Sequence, residues 1–164
     1  MKKHVSGAAA RVLLLTLLGF AALLSACKKD YVKIDETLIK KHIDGNKLTG
    51  AQRQESGLYY VPLSTDSSTI RPAVGQTVSV LYTGKLLNGT VFDASSRHGN
   101  VPISFVLGRG QVIAGWDEGI ALMHKGDKSL LLIPSALGYG ADGSPPVIPA
   151  NAVLQFEVEL VDVK

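Results

Sequence analysis

GQVIAGWDEGI, residues 110–120, holds the only tryptophan in a chain of 164 residues. A lone Trp is either core filling or the floor of a pocket, and the segments around it decide which. From Trp116 the pattern predicts a short helix. Asp117 and Glu118 stand at its start, where carboxylates favour the positive end of the helix dipole, and Lys125 stands near its finish with Gly126 as the stop. The runs on either side are short and rich in β-branched residues. Strands are predicted at 58–63, 77–86, 91–92, 103–106, 129–133 and 153–161. In the last of these, Leu154, Phe156, Val158 and Leu160 alternate with Val153, Gln155, Glu157 and Glu159, the mark of one buried face and one wet face. Asn88-Gly89 in Leu87-Asn88-Gly89-Thr90 suits a two-residue hairpin turn, which needs positive φ at both central positions. Many antiparallel strands with one helix define an α+β domain, a sheet curved around a single helix.

Toward the amino terminus the composition changes twice. Residues 1–26 read as a secretory signal: Lys2, Lys3 and Arg11 are its positive end, and Val12 to Leu24 is an apolar run too short to span a bilayer as a helix, which takes about 20 residues. Leu24-Ser25-Ala26-Cys27 resembles a bacterial lipobox, so Cys27 is the expected lipidation site and the membrane an expected partner. In a diderm envelope Lys28 after Cys27 points to the outer membrane. Residues 27–56, polar and with a weak helical stripe through Leu38, Ile39, Ile43 and Leu48, are expected to form a lipid-anchored stalk with a short helix. Residues 57–164 are enough for one domain with its own core.

Cleavage removes the charge argument for nucleic acid. The formal charge of +3 comes from Lys2, Lys3 and Arg11, because 14 of the 17 basic residues remain against 14 acidic ones. Cys27 is the only cysteine, so neither a disulfide nor thiol chemistry is available. His4, His42, His98 and His124 show no pair at ligand spacing, and no metal or cofactor is expected. Gly138 to Gly143 matches G-x-G-x-x-G, but Pro145, Pro146 and Pro149 forbid the helix that a dinucleotide site requires. Asp93, Ser95, Ser96 and His98 could be drawn as a Ser-His-Asp set, yet nothing resembles a nucleophile elbow.

Outward from Trp116, residues 57–164 resemble the FKBP-type peptidyl-prolyl isomerases over their whole length. The resemblance is carried in order by Val80-Leu81-Tyr82-Thr83-Gly84, Gly89-Thr90-Val91-Phe92-Asp93-Ala94-Ser95, Gly110 to Trp116, Ile133-Pro134, Leu137-Gly138-Tyr139-Gly140, Ile148-Pro149 and Leu154 to Leu160. It implies a five- or six-stranded antiparallel sheet wrapped around the short helix, with an apolar pocket between them. It implies Trp116 as the floor beneath a proline ring, and Tyr82, Phe92, Phe105, Val112, Ile113 and Phe156 as walls. Tyr139 would offer its hydroxyl, and Ile113 its N–H, to peptide carbonyls. Asp93 would orient a polar rim with Arg97 as its partner, and Ile148 would close the pocket.

The chain departs from the family at Ile103, where many members carry an aromatic residue, and in the loop 141–147, which borders the site. Its stalk is too short for the helical dimerisation domain that some periplasmic relatives carry, so a monomer is expected. The resemblance implies that this monomer assists the folding of exported proteins by turning X-Pro bonds, with macrolides as further ligands. The rival reading is a tethered proline-binding or chaperone module without turnover.

Overall fold

The computed structural model describes residues 30–164. The expected signal segment 1–26, Cys27 and the Lys28-Lys29 pair lie outside the described residues. The strands are β1 (Gln52–Arg53), β2 (Tyr59–Ser64), β3 (Thr77–Leu86), β4 (Val91–Ala94), β5 (Ile103–Val106), β6 (Lys128–Ile133) and β7 (Leu154–Val163), with helices α1 (Tyr31–Asn46) and α2 (Ala114–Ala121). They form one antiparallel sheet in the order β1-β2-β6-β7-β3-β4, and β5 pairs with the first half of β3.

The alternation in β7 organises the core. Leu154, Phe156, Val158 and Leu160 are buried and face α2 together with Val78, Val80, Leu131 and Ile133. The helix can lie directly on β6 because Gly115 and Gly119 face it. A Cβ at Gly115 would fall 2.5 Å from Ile133 Cγ2, and one at Gly119 would fall 2.6 Å from Leu131 Cδ1. This close approach sets the depth of Trp116.

Three expectations are corrected. The sheet has seven strands rather than five or six, because β1 adds at its edge. Helix α2 begins at Ala114 and ends at Ala121, short of Lys125. Buried Asp127 accepts the His124 N–H at 2.8 Å, which draws away the donor that would continue the helix. Asp117 reaches back instead, accepting the N–H groups of Gly108 and Gly110. Finally, Gly89 alone has positive φ in the hairpin turn. The Gly89 N–H donates to Leu86 O, and the register shifts at Gly84/Lys85, so the connection is a bulged turn and not the two-residue kind.

The boundary expected at residue 57 does not separate a stalk from a domain, because Tyr31–Lys164 is one compact unit. Helix α1 docks on the face of the sheet opposite α2. Ile39 is fully buried among Tyr59, Val61, Leu130, Leu132 and Val153. Asp35, one turn earlier, is also buried, and its Oδ2 accepts both the N–H and the hydroxyl of Ser135. The weak helical stripe is therefore half of a second core. No helix among the described residues is long and apolar enough to cross a membrane.

A cluster at Glu36 holds the same helix. Lys40 pairs with Glu36 at 2.9 Å, the Tyr59 hydroxyl donates to it at 2.7 Å, and Arg53 Nε donates at 3.0 Å. These contacts, led by Lys40, outweigh partial burial and pull the Glu36 carboxyl from 4.5 down to about 2. A carboxylate whose pKa is depressed on folding stabilises the fold above its unfolded value, and that stability is lost as pH falls through the folded value. The protection of α1 amides, relative to intrinsic exchange at each pH, is therefore expected to fall between pH 4.5 and 2. The partners are partly exposed, so the loss is on the order of 1 kcal/mol. Glu36→Gln should flatten this slope, and an unchanged slope would assign the acid sensitivity to other carboxylates.

Candidate active site

Four strand positions and one helix position build a pocket from residues far apart in sequence. Tyr82 and Gly84 follow Val78 and Val80 on the inner face of β3, and Gly84 pairs with Phe156 on β7 and Asp93 on β4. A Cβ at Gly84 would lie 2.5 Å from Phe92 and 2.7 Å from Phe156, so the missing side chain is the space these two rings occupy. Trp116 rises from α2 beneath them and is 4% exposed. Its ring lies 5.2 Å from Tyr82 at 76° and 5.2 Å from Phe156 at 85°. Phe92 meets Phe156 edge-on at 5.3 Å. Each contact is of the edge-to-face kind that aromatic quadrupoles favour. These rings enclose a cavity of about 480 Å³, completed by Val112 and Ile113 before α2 and by Tyr139, Val147 and Ile148 from the loop beyond β6.

The polar groups sit at the rim. The Tyr82 hydroxyl donates to Asp93 Oδ2 at 2.5 Å, and Asp93 Oδ1 lies 2.9 Å from His98 Nε2. Burial, reinforced by Asp93, pushes the Tyr82 hydroxyl up to about 12. For Asp93 burial acts upward, but the bonds from Tyr82, His98 and the Ala94 N–H outweigh it and hold the carboxyl below its ordinary value. Ile113 has an extended backbone at the start of α2, and its N–H has no acceptor among the described residues. Ser144 and Ile148 exchange a pair of backbone hydrogen bonds that folds the loop over the cavity.

The sequence pattern of the FKBP-type peptidyl-prolyl cis-trans isomerase family matches residues 68–161, the segment that carries every strand and helix of this pocket. The chain belongs to the FKBP-type peptidyl-prolyl cis-trans isomerases. It is similar to FK506-binding protein 1 of Dictyostelium discoideum, at 55% identity over 93 residues that cover 57% of this chain and 86% of that protein. It is also similar to the peptidyl-prolyl cis-trans isomerases FKBP2 of Mus musculus, 47% identical over 71% of this chain and 82% of that protein, and FPR2 of Saccharomyces cerevisiae, 52% identical over 62% and 76%. The α+β fold and the enzyme class read from the sequence both stand.

In this FKBP-type isomerase, Tyr82, Phe92, Asp93, Val112, Ile113, Trp116, Tyr139, Ile148 and Phe156 all line the cavity. Two anticipated residues do not. Arg97 donates to the carbonyls of Phe92 and Val91, which places it on β4 and leaves Asp93 to His98. Phe105 is buried against Trp116 at 5.9 Å and supports the indole without lining the pocket. Ile103 lines the wall in its place, two residues earlier on β5, and Gln111 joins it. The Ser-His-Asp set is not assembled: Ser95 Oγ is buried and accepts the Tyr82 N–H. In the G-x-G-x-x-G segment, Gly143 packs against the backbone of Ile148 and Pro149, and the chain continues as a turn. The sequence reading gave neither His98 nor Gly84 a role in the pocket. The signal for His98 is its place in the loop directly after Asp93.

Proposed function

We propose that this isomerase turns X-Pro bonds in exported proteins while tethered to a bacterial envelope membrane through a lipid on Cys27, and that macrolides of the kind named in FK506-binding protein 1 enter the same pocket. The observation that carries the reading is the Trp116-floored cavity, walled by Tyr82, Phe92 and Phe156 and edged by the hydrogen-bonded Asp93. Rotating a peptide bond needs no proton transfer, nucleophile or metal. The barrier is the partial double bond, about 18–20 kcal/mol. The twisted amide has lost resonance and is less polar than the planar one, so a dry aromatic pocket favours it over a ground state that prefers water. In this reading the proline ring rests on Trp116 between Tyr82, Phe92 and Phe156. The Ile113 N–H and the Tyr139 hydroxyl donate to the peptide carbonyls, and Asp93 fixes the rim through Tyr82. Lowering the barrier by about 5 kcal/mol corresponds to roughly 10³- to 10⁴-fold acceleration.

Cis/trans exchange in X-Pro peptides, followed by NMR, tests the mechanism. The protein is expected to accelerate exchange, with Asp93→Ala and Tyr139→Phe each lowering kcat/KM about tenfold, the equivalent of one lost rim hydrogen bond. A folded protein that binds the peptides without accelerating exchange would replace this reading with a proline-binding module. The anchor has its own test: intact mass of the membrane-extracted protein should give a chain beginning at lipid-modified Cys27, and Cys27→Ala should abolish that species. The reading also takes the protein as a monomer, which light scattering of residues 30–164 checks.

A further inference from the structure

The helix on the back of the sheet presents a face that the mechanism leaves unused. In α1, Ile34, Leu38, Lys41 and Gly45 recur at helical spacing, so they form one stripe, and all of them are exposed. Ile34 is 38% exposed and Leu38 43%, and Val32 at the start of the same helix is 69% exposed. Lys33, Thr37, Lys40 and Asp44 form the stripe alongside, also exposed. Two of the three acidic residues of α1 turn elsewhere: Asp35 is buried on Ser135, and Glu36 is shared by Tyr59, Arg53 and Lys40. The outward side of α1 therefore carries aliphatic side chains beside Lys33, Lys40 and Lys41, with Asp44 as its one acidic residue.

We infer that this face of α1 rests on an anionic lipid surface and so holds the isomerase with its pocket turned away from the membrane. The inference rests on the reading of Cys27 as the lipidated residue. Cys27 stands four residues before Tyr31, and four residues reach at most about 14 Å when fully extended. The start of α1 is then kept within about two Debye lengths of the headgroups, the Debye length being about 8 Å at physiological ionic strength. A face with so few aliphatic residues binds a bilayer weakly by itself, but a short tether raises its effective concentration to about millimolar, so that a weak contact becomes populated. Each lysine near anionic headgroups strengthens that contact, and the segment from Lys28 to Lys47 has six lysines against four acidic residues. Because α1 and α2 cover opposite faces of the sheet, a molecule lying on α1 aims the Trp116 side toward solvent.

The test uses the full lipidated chain in vesicles of phosphatidylcholine, with or without phosphatidylglycerol. Cys27 is the only cysteine, so Leu38→Cys supplies a single free thiol for a fluorophore once Cys27 carries its lipid. Arg109→Cys, exposed in the loop before α2, is the control. On phosphatidylglycerol vesicles, quenching of the label at position 38 by acrylamide is expected to fall about two- to five-fold, as for a side chain at the headgroup boundary, with no change at position 109. Lys33→Glu combined with Lys41→Glu should restore the quenching with an unchanged circular dichroism spectrum. A label at 38 that responds neither to phosphatidylglycerol nor to the two lysines overturns the inference, while intact mass showing lipid on Cys27 leaves the anchor standing. Protection at 109 in place of 38 overturns it by reversing the orientation. An unmodified Cys27 removes the anchor and this inference with it.

Discussion

Gly84→Ala is expected to lower kcat/KM by about 10- to 100-fold while the chain stays folded, because a displacement of roughly 1 Å in a binding pocket costs on that order. The added methyl would lie 2.5 Å from Phe92 and 2.7 Å from Phe156, against an ordinary contact of about 3.5–4.0 Å. Both rings must retreat. Phe156 cannot do so alone, because it is 4% exposed and packs edge-on against Trp116 and Phe92. The strain therefore passes into the floor of the pocket. Overpacking costs about 1–3 kcal/mol, and replacing a strand glycine returns roughly 0.5–1 kcal/mol, so the net loss leaves a domain of ordinary stability folded. Circular dichroism checks the fold, and exchange kinetics read the site. Phe92→Leu in the same background should restore part of the activity by vacating the space. Gly45→Ala, where a Cβ meets nothing within 4 Å, should leave activity unchanged. Full activity in Gly84→Ala would mean that the placement of this aromatic pair does not limit catalysis.

Gly84 also shows where sequence reading stops. It stands inside one of the motifs that carry the family resemblance, yet nothing local distinguishes a glycine that makes room for two rings from one that merely interrupts a strand. Strands that alternate were readable: β3 and β5 fall on their expected bounds, and β7 buries the residues its pattern assigned, while Val153 just before it, expected on the wet face, is buried in the second core with Ile39. Two-residue β1 is too short to show a period. The docking of α1 had a sign in β6, where Leu130-Leu131-Leu132-Ile133 is apolar without a break and all four residues are buried. Such a run means that both faces are covered, and α2 can cover only one. The pocket residues come from segments up to 74 positions apart, Tyr82 to Phe156, and only the family pattern joined them. That pattern put Arg97, not His98, beside Asp93. The choice belongs to the turn after β4, which aims one of two adjacent side chains back at Asp93 and the other at backbone carbonyls.

The largest expected loss of stability lies beneath the floor of the pocket. Ile133 is fully buried on β6 beneath Gly115, the residue before Trp116. Ile133→Ala should cost about 2–5 kcal/mol, since β6 is held by β2 and β7 and cannot collapse into the hole. Gly115→Ala attacks the same contact from the other side. Its Cβ would fall 2.5 Å from Ile133 Cγ2, an atom fixed to a β-branched carbon that cannot swing away within its rotamer. The overpacking term of about 1–3 kcal/mol exceeds the roughly 1 kcal/mol that alanine gains over glycine in a helix, so this change should also destabilise. Combined, the two substitutions should cost less than their sum by about 0.5–3 kcal/mol, because the methyl of one fills part of the cavity left by the other. Denaturant unfolding of the four proteins closes the cycle. Strict additivity would show that α2 and β6 do not meet through this pair. If they do meet there, Gly115→Ala must also lift α2 away from β6, and the fluorescence of Trp116, one residue along the helix, should shift toward that of a wetter indole while Ile133→Ala leaves it nearer the native value.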